Sequence, residues 1–189
     1  MKVLAINGSA RKDGNTNILL KTILEELERE NIETEIISFA GKVINPCKAC
    51  FTCGGKNNCT FNDDIFNEVL NKVKEADGII LGSPVYSANI SSTMQAFLER
   101  ASVVADMNPK LLTHKVGVSV VAARRGGALN TADTMNHFFL NHEMFVVGST
   151  YWNMGYGKLP GDVNEDKEAL ENMKNIGQNV AYLLKKINN

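Results

Sequence analysis

Short apolar runs recur along this chain, each followed by a stretch of helical periodicity, and that alternation limits the fold more than any other feature. The runs are "KVLAI" (2–6), "IETEIISF" (32–39), "GIILG" (78–82), "KVGVSVVAA" (115–123) and "MFVVGSTYW" (144–152). Between and after them lie five helical segments, at 16–31, 63–76, 91–104, 128–143 and 166–187. In the first helix Leu19, Leu20, Ile23, Leu24 and Leu27 fall on one face, with Asn15 or Thr16 as its cap. Strand–helix alternation with short connections implies right-handed crossovers and a parallel sheet covered on both faces. Sheets of that kind bind ligands beyond the carboxyl ends of their strands, where the strand order reverses.

The 189 residues contain no repeat, low-complexity run or linker, so one domain spanning 1–189 is expected. A net charge of −1 argues against a nucleic-acid binder and favours self-association. No apolar run approaches the roughly 18 residues of a membrane span. The start "MKVLAINGSA" turns polar too early for a signal peptide. The expected location is cytoplasmic, where thiols stay reduced.

Three loops depart from ordinary turns. After the first strand, "NGSARKDGNTN" (7–17) offers two glycines, the hydroxyls of Ser9 and Thr16, the amide of Asn15 and the charge of Arg11, and opens into a helix. A helix N-terminus presents unpaired N–H groups and suits a phosphate. The lysine of a nucleotide P-loop and the G-x-G-x-x-G dinucleotide pattern are both missing. What remains is a cradle for one terminal phosphate monoester, or a plain turn in which Asn15 or Thr16 only caps. After the third strand, "GSPVYSANIS" (82–91) is stiffened by Pro84 and carries the aromatic Tyr86. After the fourth, "AARRGGALNT" (122–131) pairs Gly126 and Gly127 with Arg124 and Arg125, which read as solvated.

A fourth loop holds every cysteine of the chain. In "NPCKACFTCGGKNNCTFNDD" (45–64), Cys47, Cys50, Cys53 and Cys59 are spaced C-x2-C-x2-C-x5-C. The candidates are structural staples, zinc ligands, an iron–sulfur cradle and a redox switch.

These loops on this alternation resemble the flavodoxin-like NAD(P)H-dependent FMN reductase superfamily over nearly the whole chain, on "GSARKDGNT", "GSPVYSANIS" and "AARRGG". The resemblance implies an α/β three-layer sandwich with a five-stranded parallel sheet in the order 2-1-3-4-5. It implies that Ser9, Arg11, Asn15 and Thr16 hold the FMN phosphate. Pro84, Val85, Tyr86, Ser87 and Asn89 would frame the isoalloxazine ring, and Ala123, Gly126 and Gly127 would close over its far side. The cysteine loop, at 45–62, resembles that of the iron–sulfur flavoproteins, in which four thiolates bind a [4Fe–4S] cluster near FMN.

Weighed on the residues themselves, disulfides suit neither a reducing compartment nor such short spacings. Zinc sites usually pair two separated C-x2-C knuckles. Three thiols two residues apart can converge on one cuboidal cluster, the fourth arriving from a turn at Gly54 and Gly55. Zinc and free thiols stay open. His114, His137 and His142 match no catalytic pattern. Asp63 and Asp64 read as the acidic first turn of a helix. Trp152, Phe138 and Phe139 read as core or subunit contacts. No protein nucleophile or general acid is needed where cofactors carry the chemistry.

Three functions follow. The first is a redox enzyme or electron-transfer flavoprotein with FMN and a [4Fe–4S] cluster, exchanging electrons with ferredoxin or a small-molecule acceptor. The second is an NAD(P)H-dependent FMN or quinone reductase without a cluster. The third is a zinc-stabilised nucleotide-binding module with no turnover. Similar proteins are usually homodimers or homotetramers, and no nucleic acid or membrane partner is expected.

Overall fold

The computed structural model describes residues 1–188. A parallel sheet runs through the molecule in the order β2-β1-β3-β4-β5, with a sixth short strand also paired to β4. The strands are β1 (Lys2–Asn7), β2 (Glu33–Ser38), β3 (Gly78–Pro84), β4 (Val116–Ala123), β5 (Phe145–Val146) and β6 (Met154–Tyr156). The helices are α1 (Asn15–Arg29), α2 (Phe66–Glu75), α3 (Ser92–Asp106), α4 (Ala128–Asn141) and α5 (Lys167–Ile187).

The central strands are continuous apolar runs because helices cover both of their faces. Alternation then sends successive side chains to opposite cores. Leu4, Ile6, Ile79, Leu81 and Val121 face the layer of α2, α3 and α4. Val3, Ala5, Ile80, Val118 and Val120 face the layer of α1 and α5. The apolar face of α1 (Leu19, Leu20, Ile23, Leu24 and Leu27) is buried as its spacing predicts. In the first layer Phe97 packs between Phe39 and Phe66, with ring centroids 5.6 Å apart in each pair.

The fifth strand differs from its expected span of 144–152. β5 pairs only with Val116 and Gly117, and β6 only with Val121 to Ala123. Val147 and Asn153 still bond to β4, and residues 148–152 leave the sheet between them. The apolar run ends at Val147, and the polar side chains that follow satisfy one another locally instead of sustaining a ladder. Ser149 Oγ shares its one proton between the Tyr151 carbonyl (2.7 Å) and Asn153 Oδ1 (3.0 Å), and Thr150 Oγ1 donates to Asn172 on α5 (2.6 Å). The excursion opens a cleft of about 570 Å³ against α4, lipped by Leu129, Tyr151 and Trp152. The tyrosine and tryptophan are exposed, not core.

Two helix starts also differ from expectation. The position before α1 is Gly14, which has no side chain to cap with, and the Asn15 amide is committed elsewhere. Helix α2 begins at Phe66, not at 63, and Asp64 lies before it in a buried ion pair with Arg100.

Candidate functional site

The carboxyl ends of β1, β3 and β4 meet at a cleft of about 180 Å³ lined by Ser9, Arg11, Gly14, Asn15, Thr16, Pro84, Val85, Tyr86, Ala122, Arg124, Gly157 and Lys158. Here the strand order reverses, since β1 leads outward to β2 and β3 leads the other way. Helix α1 opens on this cleft with no side-chain cap and no acidic residue in its first turn. Its leading N–H groups and dipole therefore favour an anion. Arg11, Arg124 and Lys158 add three positive charges, none in an ion pair among the described residues.

The walls of the cleft are tied to one another. The Gly8 N–H donates to the Gly82 carbonyl (2.8 Å), joining the first loop to β3. Ser91, the N-cap of α3, donates from Oγ to the Gly8 carbonyl (2.7 Å), and its N–H donates to Ser83 Oγ (3.0 Å). The second loop ends in a tight turn in which the Tyr86 and Asn89 main chains exchange hydrogen bonds of 2.8 and 3.0 Å. Ser87 and Ala88 at its tip have φ of 50° and 60°, a conformation costly for non-glycine residues. The start of α4 holds this turn. Asn130 Nδ2 donates to the Ala88 carbonyl (2.7 Å), Thr134 Oγ1 donates to Asn89 Oδ1 (2.8 Å), and a Cβ on Gly127 would lie 2.8 Å from Ala88 Cα.

The cysteine loop lies on the α2–α3 face. All four thiols border one small cavity, together with Phe61, Asp63, Arg100 and Val104. Side chains of the underlying helices hold the loop at both ends. Arg100, on α3 and 3% exposed, donates to the Asn45 carbonyl (3.2 Å), the Phe61 carbonyl (3.2 Å) and Asp64 Oδ2 (2.5 Å). Its guanidinium carbon lies 4.1 Å from the centroid of the Phe66 ring. Asp64 in turn accepts from the N–H of Asn45 (2.7 Å) and of Phe66 (3.0 Å). Burial works against its charge, but those two N–H groups and Arg100 outweigh it and hold the carboxyl below its ordinary range. Asn108 donates to the Cys53 carbonyl (3.1 Å), and Asn67 both donates to the Cys59 carbonyl and accepts from its N–H, each at 2.9 Å. Glu99 accepts from the Cys47 N–H (2.9 Å).

The thiols differ among themselves. Cys53 is buried, and desolvation raises its pKa. Cys50 is exposed, and a hydrogen bond from Thr52 lowers its pKa. Thr52 also meets Thr60 across the loop at 2.7 Å.

The family described as NADPH-dependent FMN reductase matches residues 1–158. The chain belongs to that family. It is similar, at 42% identity and over 99% of both chains, to an iron–sulfur flavoprotein of Methanocaldococcus jannaschii. It is 34% identical to an iron–sulfur flavoprotein of Archaeoglobus fulgidus, over 96% of this chain and 79% of that one. Its fold is that of an archaeal flavodoxin, with a TM-score of 0.64 at 17% identity over 98% of this chain and 99% of that one. As a member of this reductase family the chain is an FMN-dependent oxidoreductase.

Among the residues expected at the flavin, Ser9, Arg11, Asn15, Thr16, Pro84, Val85 and Tyr86 border the cleft. Ser87 stands at the tip of the strained turn, and Asn89 spends its carbonyl on Thr134 and on the Ile90 N–H. Ala123 is buried in β4, and its carbonyl accepts from the Gly157 N–H (2.8 Å). Gly126 is exposed beside Gly127, which packs against the turn. Ala123, Gly126 and Gly127 are not among the residues that line the cleft.

The amide of Asn15 faces the 157–163 turn. It donates to the Leu159 carbonyl (2.9 Å) and accepts from the Gly161 N–H (2.9 Å). That grip carries Lys158 to the cleft, and Gly157 leaves room for it, since a Cβ there would meet Asn15 Nδ2 at 2.6 Å. Lys158 and Gly157 are cleft residues that the sequence reading left out, and Arg124, which it read as solvated, borders the cleft with them. The Gly-Lys-Leu-Pro-Gly run at 157–161 is a turn signal, but only the fold places that turn beside residue 15.

Proposed function

We propose that this reductase is an electron-transfer flavoprotein of the iron–sulfur type, holding FMN in the β1–β3–β4 cleft and a [4Fe–4S] cluster on the four thiols. Ser9 and Thr16, the leading N–H groups of α1, and the charges of Arg11, Arg124 and Lys158 would bind the FMN phosphate. Pro84, Val85 and Tyr86 would lie along the ring. When bound, FMN exchanges electrons singly or in pairs, whereas a [4Fe–4S] cluster exchanges them singly, so the two together match a two-electron donor to a one-electron partner.

The observation that carries this reading is that both loops are fixed to one helix. At its start α3 is bonded to the flavin-side loops through Ser91, and nine residues later it is bonded to the cysteine loop through Arg100. At 1.5 Å per residue that separation is about 14 Å along the axis. The donor set supports iron–sulfur chemistry, since thiolates are soft ligands. The printed names of the relatives point the same way.

As they stand, the described side chains draw no three metal-ligating groups close enough for one ion, and the thiols enclose only about 20 Å³. A cluster therefore requires the loop to open. The protein supplies position and polarity. The Ala49 N–H already donates to Cys47 Sγ (3.4 Å), a contact of the kind that tunes a sulfur ligand.

On this reading the electron partner is ferredoxin or a small oxidant, and the working unit is a homodimer or homotetramer. The visible spectrum of anaerobically purified protein tests the cofactors: flavin bands over a broad iron–sulfur shoulder are expected. Flavin bands alone would favour a plain NAD(P)H-dependent FMN or quinone reductase. Stopped-flow mixing with reduced ferredoxin, NADPH and NADH tests the donor. Rapid bleaching by NADPH with no response to ferredoxin would end the electron-carrier version.

A further inference from the structure

The geometry points to Arg100, clasped to Asp64, as the positioning residue of the cysteine loop: it fixes both feet of the loop, so that Cys53 and Cys59 keep their places and only residues 48–52 move when a cluster is taken up.

The inference rests on the functional reading above only for the identity of what is taken up. Its own basis is how the loop is anchored. One buried guanidinium reaches the main chain on both sides of the thiols, at Asn45 before Cys47 and at Phe61 after Cys59. A planar fork with five donors can do this where a single ammonium cannot. Asp64 closes the ring of bonds by accepting from the Asn45 N–H while it neutralises the arginine. The pair is almost wholly buried, with side-chain exposures of 3% and 1%. Losing one partner would leave an uncompensated charge and several unsatisfied main-chain groups.

Above this base the loop divides into two parts. Cys53 and Cys59 are tied by their main-chain groups to the side chains of Asn108, two residues past the end of α3, and Asn67, at the start of α2. Residues 48–52 make no hydrogen bond to either helix among the described residues. Their bonds are to the loop itself: Ala49 to Cys47, Cys50 to Thr52, and Thr52 to Thr60. Ala49 and Phe51 within this stretch have φ of 50° and 55°. Such left-handed geometry is unfavourable for alanine and phenylalanine, and both residues are exposed. A cavity of about 20 Å³ must widen to admit a cluster. The untied, strained stretch is the part that can yield.

The test uses the full chain with FMN bound, stripped of metal, in its wild-type, Arg100→Gln, Arg100→Lys and Asp64→Asn forms. Brief alkylation with iodoacetamide at one pH, followed by mass spectrometry, gives a rate for each cysteine. Reconstitution with iron and sulfide then gives iron per chain, and FMN fluorescence quenching gives flavin affinity. In the wild type the exposed Cys50 should react at least about tenfold faster than the buried Cys53, a difference equivalent to about 1.4 kcal/mol. Arg100→Gln should bring Cys53 and Cys59 toward the Cys50 rate and cut iron retention by more than half, with flavin affinity unchanged. Arg100→Lys should fall between, because its charge still meets Asp64 but it cannot span Asn45 and Phe61 together. Asp64→Asn should raise the Cys53 and Cys59 rates less than Arg100→Gln does.

Wild-type alkylation rates and iron content in the Arg100→Gln and Arg100→Lys variants would overturn the proposal. So would loss of FMN together with iron in all three variants, which would show that the pair holds the fold and not the loop. Wild-type protein that takes up no iron would instead sink the cluster reading, and the alkylation rates would still decide the role of Arg100.

Discussion

The flavin cleft and the cysteine loop are built by opposite means. The cleft is made at the carboxyl ends of three adjacent strands, and its inner walls are joined by the backbone bond of Gly8 to Gly82 and by the N-cap Ser91, with side-chain ties from Asn15, Asn130 and Thr134 only at its outer turns. Its anion-facing groups are what a helix start leaves over. The cysteine loop has no strand or helix of its own. It keeps its shape because Glu99 and Arg100 on α3, Asn108 just after it and Asn67 on α2 reach up to its main chain. A site made by strand ends comes with the fold, while a site made by side-chain ties comes only with those particular residues.

That contrast can be broken most sharply at the thiols. Cys50→Ala should reduce iron per chain to background while FMN stays bound, read by metal analysis and by the flavin bands. If both cofactors leave together, the two sites fold as one unit and the contrast fails.

The converse change is Gly157→Ala. The added methyl would press on Asn15 Nδ2 and on the Val163 N–H, at 2.6 and 2.8 Å from its ideal position. Overpacking of this kind costs about 1–3 kcal/mol. FMN affinity should fall by roughly 5- to 100-fold in a fluorescence titration, with iron content unchanged.

A smaller effect is expected from Lys158→Ala or Arg124→Ala. Each removes one exposed charge, worth up to about 1 kcal/mol, or about fivefold in FMN affinity. The loss should shrink in 1 M salt.

The smallest effect sharpens the picture inside the cysteine loop. Alkylation follows the thiolate. A lowered pKa gives Cys50 more thiolate at a given pH, and a raised one gives Cys53 less. In metal-free protein the pH–rate midpoint for Cys50 should lie below that of an ordinary thiol, and the midpoint for Cys53 above it. Thr52→Val should return Cys50 toward the ordinary value, since the Thr52 hydroxyl is the main cause of its shift.

What the sequence disclosed follows the same division. The strand–helix alternation, the two cores and the first two loops of the cleft are written in local patterns: continuous apolar runs, helical faces, and glycines beside hydroxyls at strand ends; the strand order came only with the family resemblance. Those patterns act over a few residues and survive reading one residue at a time. The cysteine ligand candidates were legible for the same reason. Their supports were not. Arg100 stands in an ordinary helical stretch, and Asp64, 36 positions earlier, reads as a dipole-matching acid at a helix start. Nothing short of the fold brings the two together. Asn15 shows the same limit from the other side: its place at the helix start was plain, but its amide grips a turn at 159–163 that no local pattern connects to it. The break in the fifth strand lay between. The hydroxyl-rich "GST" at 148–150 was visible, yet its power to pull the chain out of the sheet depends on Asn172, which α5 brings alongside.

That break has a further effect on how copies of the molecule meet. A long, flat outer strand is a template on which another chain can add. Here one margin is interrupted midway at residues 148–152, and the other, β2, carries Glu33 and Glu35 with Lys2 and Lys72 close by. Neither margin offers an unbroken, uncharged ladder, so a nearly neutral protein is kept from stacking edge to edge into fibres.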